Sequence, residues 1–208
     1  MNDRPLVAGL DYGIGNLRSA QKALGQVGAD ARLSADPVLV EEAAAVVLPG
    51  VGAFGRCMEA LGATGLDRIA SEAAREAAEG GRPFLGICVG LQLLHEESQE
   101  ASDQPGLGVI SGRVRLLEGD VKRPQMQWNK LVGELDHAMF RGVGHEPWVY
   151  FVHSYTAPVG ESTKAVCDYG GPVCAAVAEG NLWATQFHPE KSGQLGLRVL
   201  KNFVDGLR

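Results

Sequence analysis

Several things are scarce in this chain, and each scarcity excludes something. No apolar run approaches the ~20 residues a membrane helix needs, so a membrane partner is not expected. The four cysteines, at 57, 88, 167 and 174, form no C-x-x-C pair and lack metal-ligand spacing, so neither a zinc site nor another metal or cofactor is expected. Positive charge is in deficit. The 19 Lys and Arg stand against 25 Asp and Glu, for a formal net charge of −6, which makes nucleic acid a poor main partner. Internal repeats and low-complexity stretches are missing too. Met1-Asn2-Asp3-Arg4-Pro5 leads directly into Leu6–Leu10 without a signal-peptide layout. Cys57, Cys167 and Cys174 read as small apolar residues in a reducing compartment, so a cytoplasmic protein is expected.

What is present is ordinary globular composition, 45% hydrophobic and 21% charged over 208 residues. That suits one domain, 1–208, with one core and no staple. The first half alternates strands and helices. Leu6–Leu10 reads as a strand, followed by the glycine-rich turn Asp11-Tyr12-Gly13-Ile14-Gly15-Asn16. Leu17, Ala20, Leu24 and Val27 then recur at helical spacing. A short strand near Ala31–Leu33 precedes a helix capped by Asp36 with Pro37 in its first turn. Ala45–Leu48 is a buried strand, Leu66–Glu79 a helix stopped by Gly80-Gly81, and Pro83–Ile87 another buried strand. This alternation predicts an α/β fold with an open, mostly parallel sheet and helices on both faces. The second half is richer in strands, at Ser111–Leu117, Trp148–His153, Lys164–Asp168, Val173–Glu179 and Leu182–Phe187. Turns at Gly170-Gly171-Pro172 and Gly180-Asn181 make the last three an antiparallel extension of the sheet. Leu200, Phe203, Val204 and Leu207 mark a closing helix.

Chemistry concentrates first in Gly86-Ile87-Cys88-Val89-Gly90, an apolar run followed by a helical one, with cysteine at the centre of a G-x-nucleophile-x-G pattern. A sharp strand-to-helix turn there would strain Cys88 and expose its sulfur, with Gly86 and Gly90 relieving the crowding. The Val89 N–H would be free to hold an oxyanion. The pattern alone is equally compatible with a buried cysteine at a tight turn. A second segment, Gln186-Phe187-His188-Pro189-Glu190-Lys191, sharpens the reading. With Pro189 keeping the chain extended, His188 and Glu190 would project to the same side, as a base and its orienting carboxylate. His153, also at a strand end, competes for the role of base, while His95, His137 and His145 read as surface residues. The glycine loop Pro49-Gly50-Val51-Gly52-Ala53 follows a buried strand and is a candidate for a second oxyanion donor, at Val51 or Gly52.

Gly86–Gln92 together with Phe187-His188-Pro189-Glu190 resembles the class I, triad-type glutamine amidotransferases. Asp11–Leu17, Leu48–Phe54, Tyr150–Tyr155 and His188–Gly193 point to the branch of that family that serves histidine biosynthesis, and the likeness covers nearly the whole chain in order. The resemblance implies Cys88 as nucleophile, His188 as general base and acid, and Glu190 as orienting carboxylate. It further implies that Gly52, Gln92, Glu100, Ser154 and Tyr155 hold L-glutamine, and that Asn16, Trp128, Tyr150 and Lys191 face a partner. His153 then becomes a structural residue. The partner implied is a separate (β/α)₈ cyclase subunit in a heterodimer. It would accept ammonia and form imidazole glycerol phosphate and aminoimidazole carboxamide ribotide. One departure stands out. Where the family usually has Pro-His-Met-Gly-Trp-Asn, this chain has Pro124-Gln125-Met126-Gln127-Trp128-Asn129, so the backbone there need not follow the family's. Two other readings carry less weight. The glycine loop and Tyr150–Tyr155 disfavour the glutaminase of an anthranilate, aminodeoxychorismate or pyridoxal phosphate synthase, and the complete Cys88, His188, Glu190 set disfavours a non-catalytic module.

Overall fold

The computed structural model describes residues 4–207, so Met1–Asp3 of the N-terminal reading and Arg208 lie outside the described residues. In chain order the structure runs β1 (Leu6–Leu10), α1 (Leu17–Gln26), β2 (Asp30–Ser34), α2 (Pro37–Glu42), β3 (Ala45–Gly50), α3 (Phe54–Thr64), α4 (Leu66–Ala78), β4 (Phe84–Cys88) and α5 (Val89–Leu93). It continues through β5 (His95–Ser98), β6 (Ile110–Leu116), β7 (Gln125–Lys130), β8 (Val132–Gly133), β9 (Trp148–His153) and β10 (Tyr155–Thr156). The last elements are β11 (Thr163–Asp168), β12 (Pro172–Glu179), β13 (Leu182–Thr185) and α6 (Gly193–Asp205).

One eight-stranded sheet, in the order β2-β1-β3-β4-β13-β12-β11-β8, runs through both halves of the chain. Strands β2, β1, β3, β4 and β13 are parallel, and β12, β11 and β8 add antiparallel pairs beyond them. The predicted mostly parallel sheet with an antiparallel extension is what is found. The chain leaves β1 toward β2 and then returns toward β3 and β4; the right-handed rule for such crossovers puts α1 on one face and α2, α3 and α4 on the other. The local reasons are the expected ones. Asp36 accepts the Val38 N–H at the start of α2 with Pro37 in the first turn. In α4, Ala70, Ala73, Ala74 and Ala77 form the buried stripe, and Gly80, at φ 90°, ends it.

Buried hydrophobics fall into two clusters rather than the single core expected from length. Strand β12 feeds both, Cys174 and Val177 into one and Val173 and Ala175 into the other, and Trp183 packs against each. The segment read as Leu182–Phe187 leaves the strand after Thr185. The strand at Trp148–His153 belongs not to the main sheet but to an antiparallel ribbon with β7. His95 is a correction: it is 1% exposed, not on the surface, with Nδ1 3.2 Å from the Leu91 carbonyl. It sits where α5 runs into β5, and the chain folds over it. His137 is half-buried and packs edge-on against Trp183, while His145 is exposed.

Candidate active site

Parallel pairing brings three strand ends to one edge. Gly50 of β3 lies opposite Cys88 of β4, and Thr185 of β13 lies opposite Ile87. The segments that leave these strands therefore emerge side by side, at the carboxyl edge where open α/β sheets hold ligands. They carry the Pro49–Ala53 loop, Cys88, and Gln186–His188.

Cys88 turns β4 directly into α5 with φ 56° and ψ −109°, and it is the one non-glycine residue with positive φ among those described. Such a conformation persists only when its surroundings enforce it. Here they do. A Cβ on Gly90 would lie 1.9 Å from the Leu48 carbonyl oxygen, and one on Gly50 would lie 2.9 Å from the Gly90 nitrogen. The turn can form only because those side chains are missing. The predicted exposure of the residue is not observed: Cys88 is 3% exposed. It forms part of the floor of a cleft of about 390 Å³, lined also by Val51, Gly52, Gln92, Glu100, Tyr155 and His188.

His188 and Glu190 meet, but not by the predicted route. Pro189–Lys191 is a turn of 3₁₀ helix rather than extended chain, with Pro189 in its first position. The turn folds Glu190 back so that its Oε1 lies 2.8 Å from His188 Nδ1, with both side chains almost fully buried. Burial alone would lower the His188 pKa, but the neighbouring Cys88 and Glu190 outweigh it and raise it to about 9. The imidazolium is thus the favoured form at neutral pH. Nε2 has no hydrogen-bond partner. It is left for whatever enters the cleft. His153 lines the same cleft in the opposite state. Burial pushes it down to about 4, against the pull of the Tyr155 carbonyl at 2.8 Å from its Nδ1, and the nearby His188 charge pushes the same way as burial. Held near 4, His153 is too weak a base to take a proton that His188 binds up to about 9.

The other predicted positions divide. Gln92 is buried, and its Nε2 donates to the Tyr155 carbonyl at 2.8 Å and to Gln186 Oε1 at 3.0 Å. Glu100 lines the cleft and spends Oε2 on the Phe54 N–H at 2.8 Å, capping α3 where Ala53 cannot. Ser154 and Tyr155 form part of the cleft wall. Val89 is the first residue of α5, a position whose N–H has no intrahelical partner. Asn16 and Lys191 are exposed at the cleft rim. Trp128 and Tyr150 are cross-strand partners on the adjoining ribbon, edge-on at 6.1 Å. Two residues escaped sequence reasoning. Gln186 is fully buried and aims Nε2 at Cys88 Sγ, 3.7 Å away. Ser192 donates to the His188 carbonyl at 2.6 Å and accepts the Tyr150 N–H at 2.9 Å, tying the 3₁₀ turn to β9. The only signal for either was a polar residue within a segment already singled out.

Comparison with known proteins sets this geometry in context. The family model described as glutamine amidotransferase class-I matches residues 10–207. The chain belongs to that family. A protein of Syntrophotalea carbinolica named imidazole glycerol phosphate synthase subunit HisH is 49% identical, over 94% of this chain and 98% of its own. A protein of Methanothermobacter thermautotrophicus with the same name is 47% identical, over 98% and 100%. Among solved structures, one described as a glutamine amidotransferase superposes with a TM-score of 0.72 at 22% identity, over 96% of this chain and 98% of that one. PurLQS from Thermotoga maritima gives 0.72 at 20%, over 99% and 100%. These structural likenesses speak to the fold. For this glutamine amidotransferase, the departure at Gln125 and Gln127 resolves simply. Both lie in regular β7, with Gln127 opposite Phe151 and neither at positive φ, so the backbone makes no demand for glycine there. Gln127 is exposed and Gln125 buried.

Proposed function

We propose that the protein is the glutaminase subunit of imidazole glycerol phosphate synthase, releasing ammonia from L-glutamine for histidine biosynthesis. The observation that carries the reading is the convergence of a strained Cys88 with a buried His188–Glu190 pair in one cleft. The Cys88 thiolate, paired with the His188 imidazolium, attacks the side-chain amide carbon, and the resulting oxyanion is held by the Val89 N–H and by an amide of the Val51–Gly52 stretch. His188 gives its proton to the departing nitrogen, so the C–N bond breaks as ammonia leaves and a thioester forms. The imidazole, now neutral, takes a proton from water as hydroxide adds to the thioester; the C–S bond then breaks, releasing glutamate and restoring the thiolate–imidazolium pair. Glu190 fixes the ring and balances its charge. Gln92, Glu100, Ser154 and Tyr155 line the space that glutamine would fill.

The ammonia must reach its acceptor before water protonates it. The relatives are named as subunits, and the surface beside the cleft suits a large partner. Met126, Trp128 and Trp148 are 61%, 46% and 51% exposed on the β7–β9 ribbon, next to Asn16 and Lys191 at the rim. Aromatic residues and methionine are enriched in interface cores. We read this face as the dock for a (β/α)₈ cyclase subunit, in a heterodimer that takes up ammonia as imidazole glycerol phosphate and aminoimidazole carboxamide ribotide are formed. The four cysteines, all buried and free, support a cytoplasmic setting, and no helix among the described residues is long and apolar enough to cross a membrane.

The test is glutamine hydrolysis by wild type, Cys88→Ala and Cys88→Ser, each alone and with the liganded cyclase. Wild type should turn over glutamine, faster in the complex, while both variants fall to background. Parental turnover by either variant would overturn the assignment.

A further inference from the structure

Gln186 has no part in the mechanism above, yet its side chain touches the reacting atom. It follows β13, is fully buried, and is not among the residues that line the cleft. Its backbone N–H donates to the Ala175 carbonyl on β12 at 2.8 Å, which fixes the position from which the side chain projects. Its Nε2 donates to Cys88 Sγ at 3.7 Å. Which end of the amide meets the sulfur follows from the donors and acceptors around it. The Tyr155 carbonyl can only accept, so Gln92 turns its NH₂ group there, at 2.8 Å. That same NH₂ faces Gln186 at 3.0 Å, so Gln186 must answer with Oε1. The Gln186 NH₂ is left for the sulfur. An amide NH₂ only donates, so sulfur is the acceptor in this contact, and the bond is stronger when the sulfur is charged.

The other groups near the sulfur act differently. The Val152 carbonyl, 4.0 Å away, accepts from a thiol and would repel a thiolate. His188 brings a positive charge, which it keeps up to about 9. Tyr12 and Cys57 are close enough to feel a charge at Cys88, and burial keeps both protonated, Cys57 up to about 11. Glu100 and His153 line the cleft, the first with Oε2 on the Phe54 N–H and the second neutral above about 4. The His188 charge disappears once its proton has gone to the departing nitrogen. The Gln186 amide does not titrate, so it remains a donor through every step. We infer that Gln186 is a further catalytic residue of glutamine hydrolysis: its side-chain N–H holds the Cys88 thiolate before attack and again as the C–S electron pair returns to sulfur. Gln92, braced by the Tyr155 carbonyl, is the positioning residue that keeps the amide turned that way. The inference deepens the glutaminase reading and rests on it.

The experiment compares wild type and Gln186→Met in complex with the liganded cyclase, with Cys88→Ala as the inactive control. Methionine is close to glutamine in length but donates no hydrogen bond. Losing a hydrogen bond to a charged group should lower kcat about tenfold. KM for glutamine should change less than about threefold, because Gln186 does not line the cleft and the Tyr155 carbonyl still holds Gln92. Alkylation by iodoacetamide, corrected for the Cys88→Ala background, reads the sulfur directly, since the thiolate is the reacting form. Its pH profile should move to higher pH by about one unit, the counterpart of a tenfold loss. A role confined to packing, or to bracing Gln92, would change melting temperature or KM and leave that profile in place. If Gln186→Met does not fold, Gln186→Leu carries the same comparison. With an active wild type, either an unchanged kcat or an undisplaced profile in the folded variant would overturn this inference alone. A wild type without turnover would overturn the glutaminase reading, and this inference with it.

Discussion

Glu190 does more than neutralise a neighbour. By accepting from His188 Nδ1 it dictates which ring nitrogen faces the cleft, and by its charge it sustains the raised pKa. Glu190→Gln should therefore bring the His188 titration down from about 9, which an NMR titration of the ring protons would read directly. Replacing the orienting carboxylate of a triad with its amide can cost about 10⁴ in kcat, so a large loss of glutamine turnover is expected, with its alkaline limb shifted to lower pH. A titration unchanged by the substitution would show that the carboxylate is not what holds the proton. At this scale the sequence was informative where chemistry demands a rare combination of residues, as at Cys88, His188 and Glu190. It was uninformative for Gln186 and Ser192. Their roles arise from distances across the fold, 3.7 Å to a sulfur on another strand and 2.9 Å to an amide on another.

Among the elements, the β7–β9 ribbon departs furthest from expectation. Gln-Met-Gln-Trp-Asn-Lys has no β-branched residue, and Trp128 alone is of a type that strands favour, so its composition gives little sign of one. Pairing with Trp148–His153 makes it one. Glycine in a strand interior is disfavoured by its greater loss of conformational freedom. Gln127→Gly, which introduces the residue the family usually carries, should thus destabilise the chain by about 0.5–1 kcal/mol, measurable as a lower urea midpoint with an unchanged slope. A gain in stability would mean that the ribbon is strained by glutamine. Helix α3 was also missed, because Gly55 and Gly62 interrupt Phe54–Thr64 and lower its intrinsic helicity. Burial of Phe54, Cys57, Met58 and Leu61 outweighs that weakness. Strands β1, β3 and β4 were legible for the opposite reason: short apolar runs closed by glycine or proline have few other uses in a parallel sheet.

For the whole molecule, two buried imidazoles impose opposite pH dependences. His188 is raised to about 9, so it contributes stability that is complete below its unfolded value near 6.5 and is lost as pH rises through 9. His153 is lowered to about 4, so its contribution is present above about 6.5 and is lost as pH falls through 4. Stability measured by denaturant titration should peak near pH 6–7 and decline on both sides. In His188→Gln the alkaline decline between 6.5 and 9 should flatten, and a slope unaltered by that change would assign the effect elsewhere. The large-scale order of the sheet followed from the alternation of elements, but the division of the interior into two clusters did not. Length predicts how much surface is buried, not how a sheet partitions it.

The backbone at residue 88 has a consequence for anyone who would make this protein hardier. Glycine adopts positive φ far more readily than cysteine, so the chemistry requires at that corner a residue the backbone conformation disfavours. A library randomised at this codon and sorted for heat resistance alone should enrich glycine, and every such winner should be inert toward glutamine. Thermal endurance and ammonia production would then rank the same collection of molecules in reverse order, a conflict that distant stabilising substitutions could offset but not abolish.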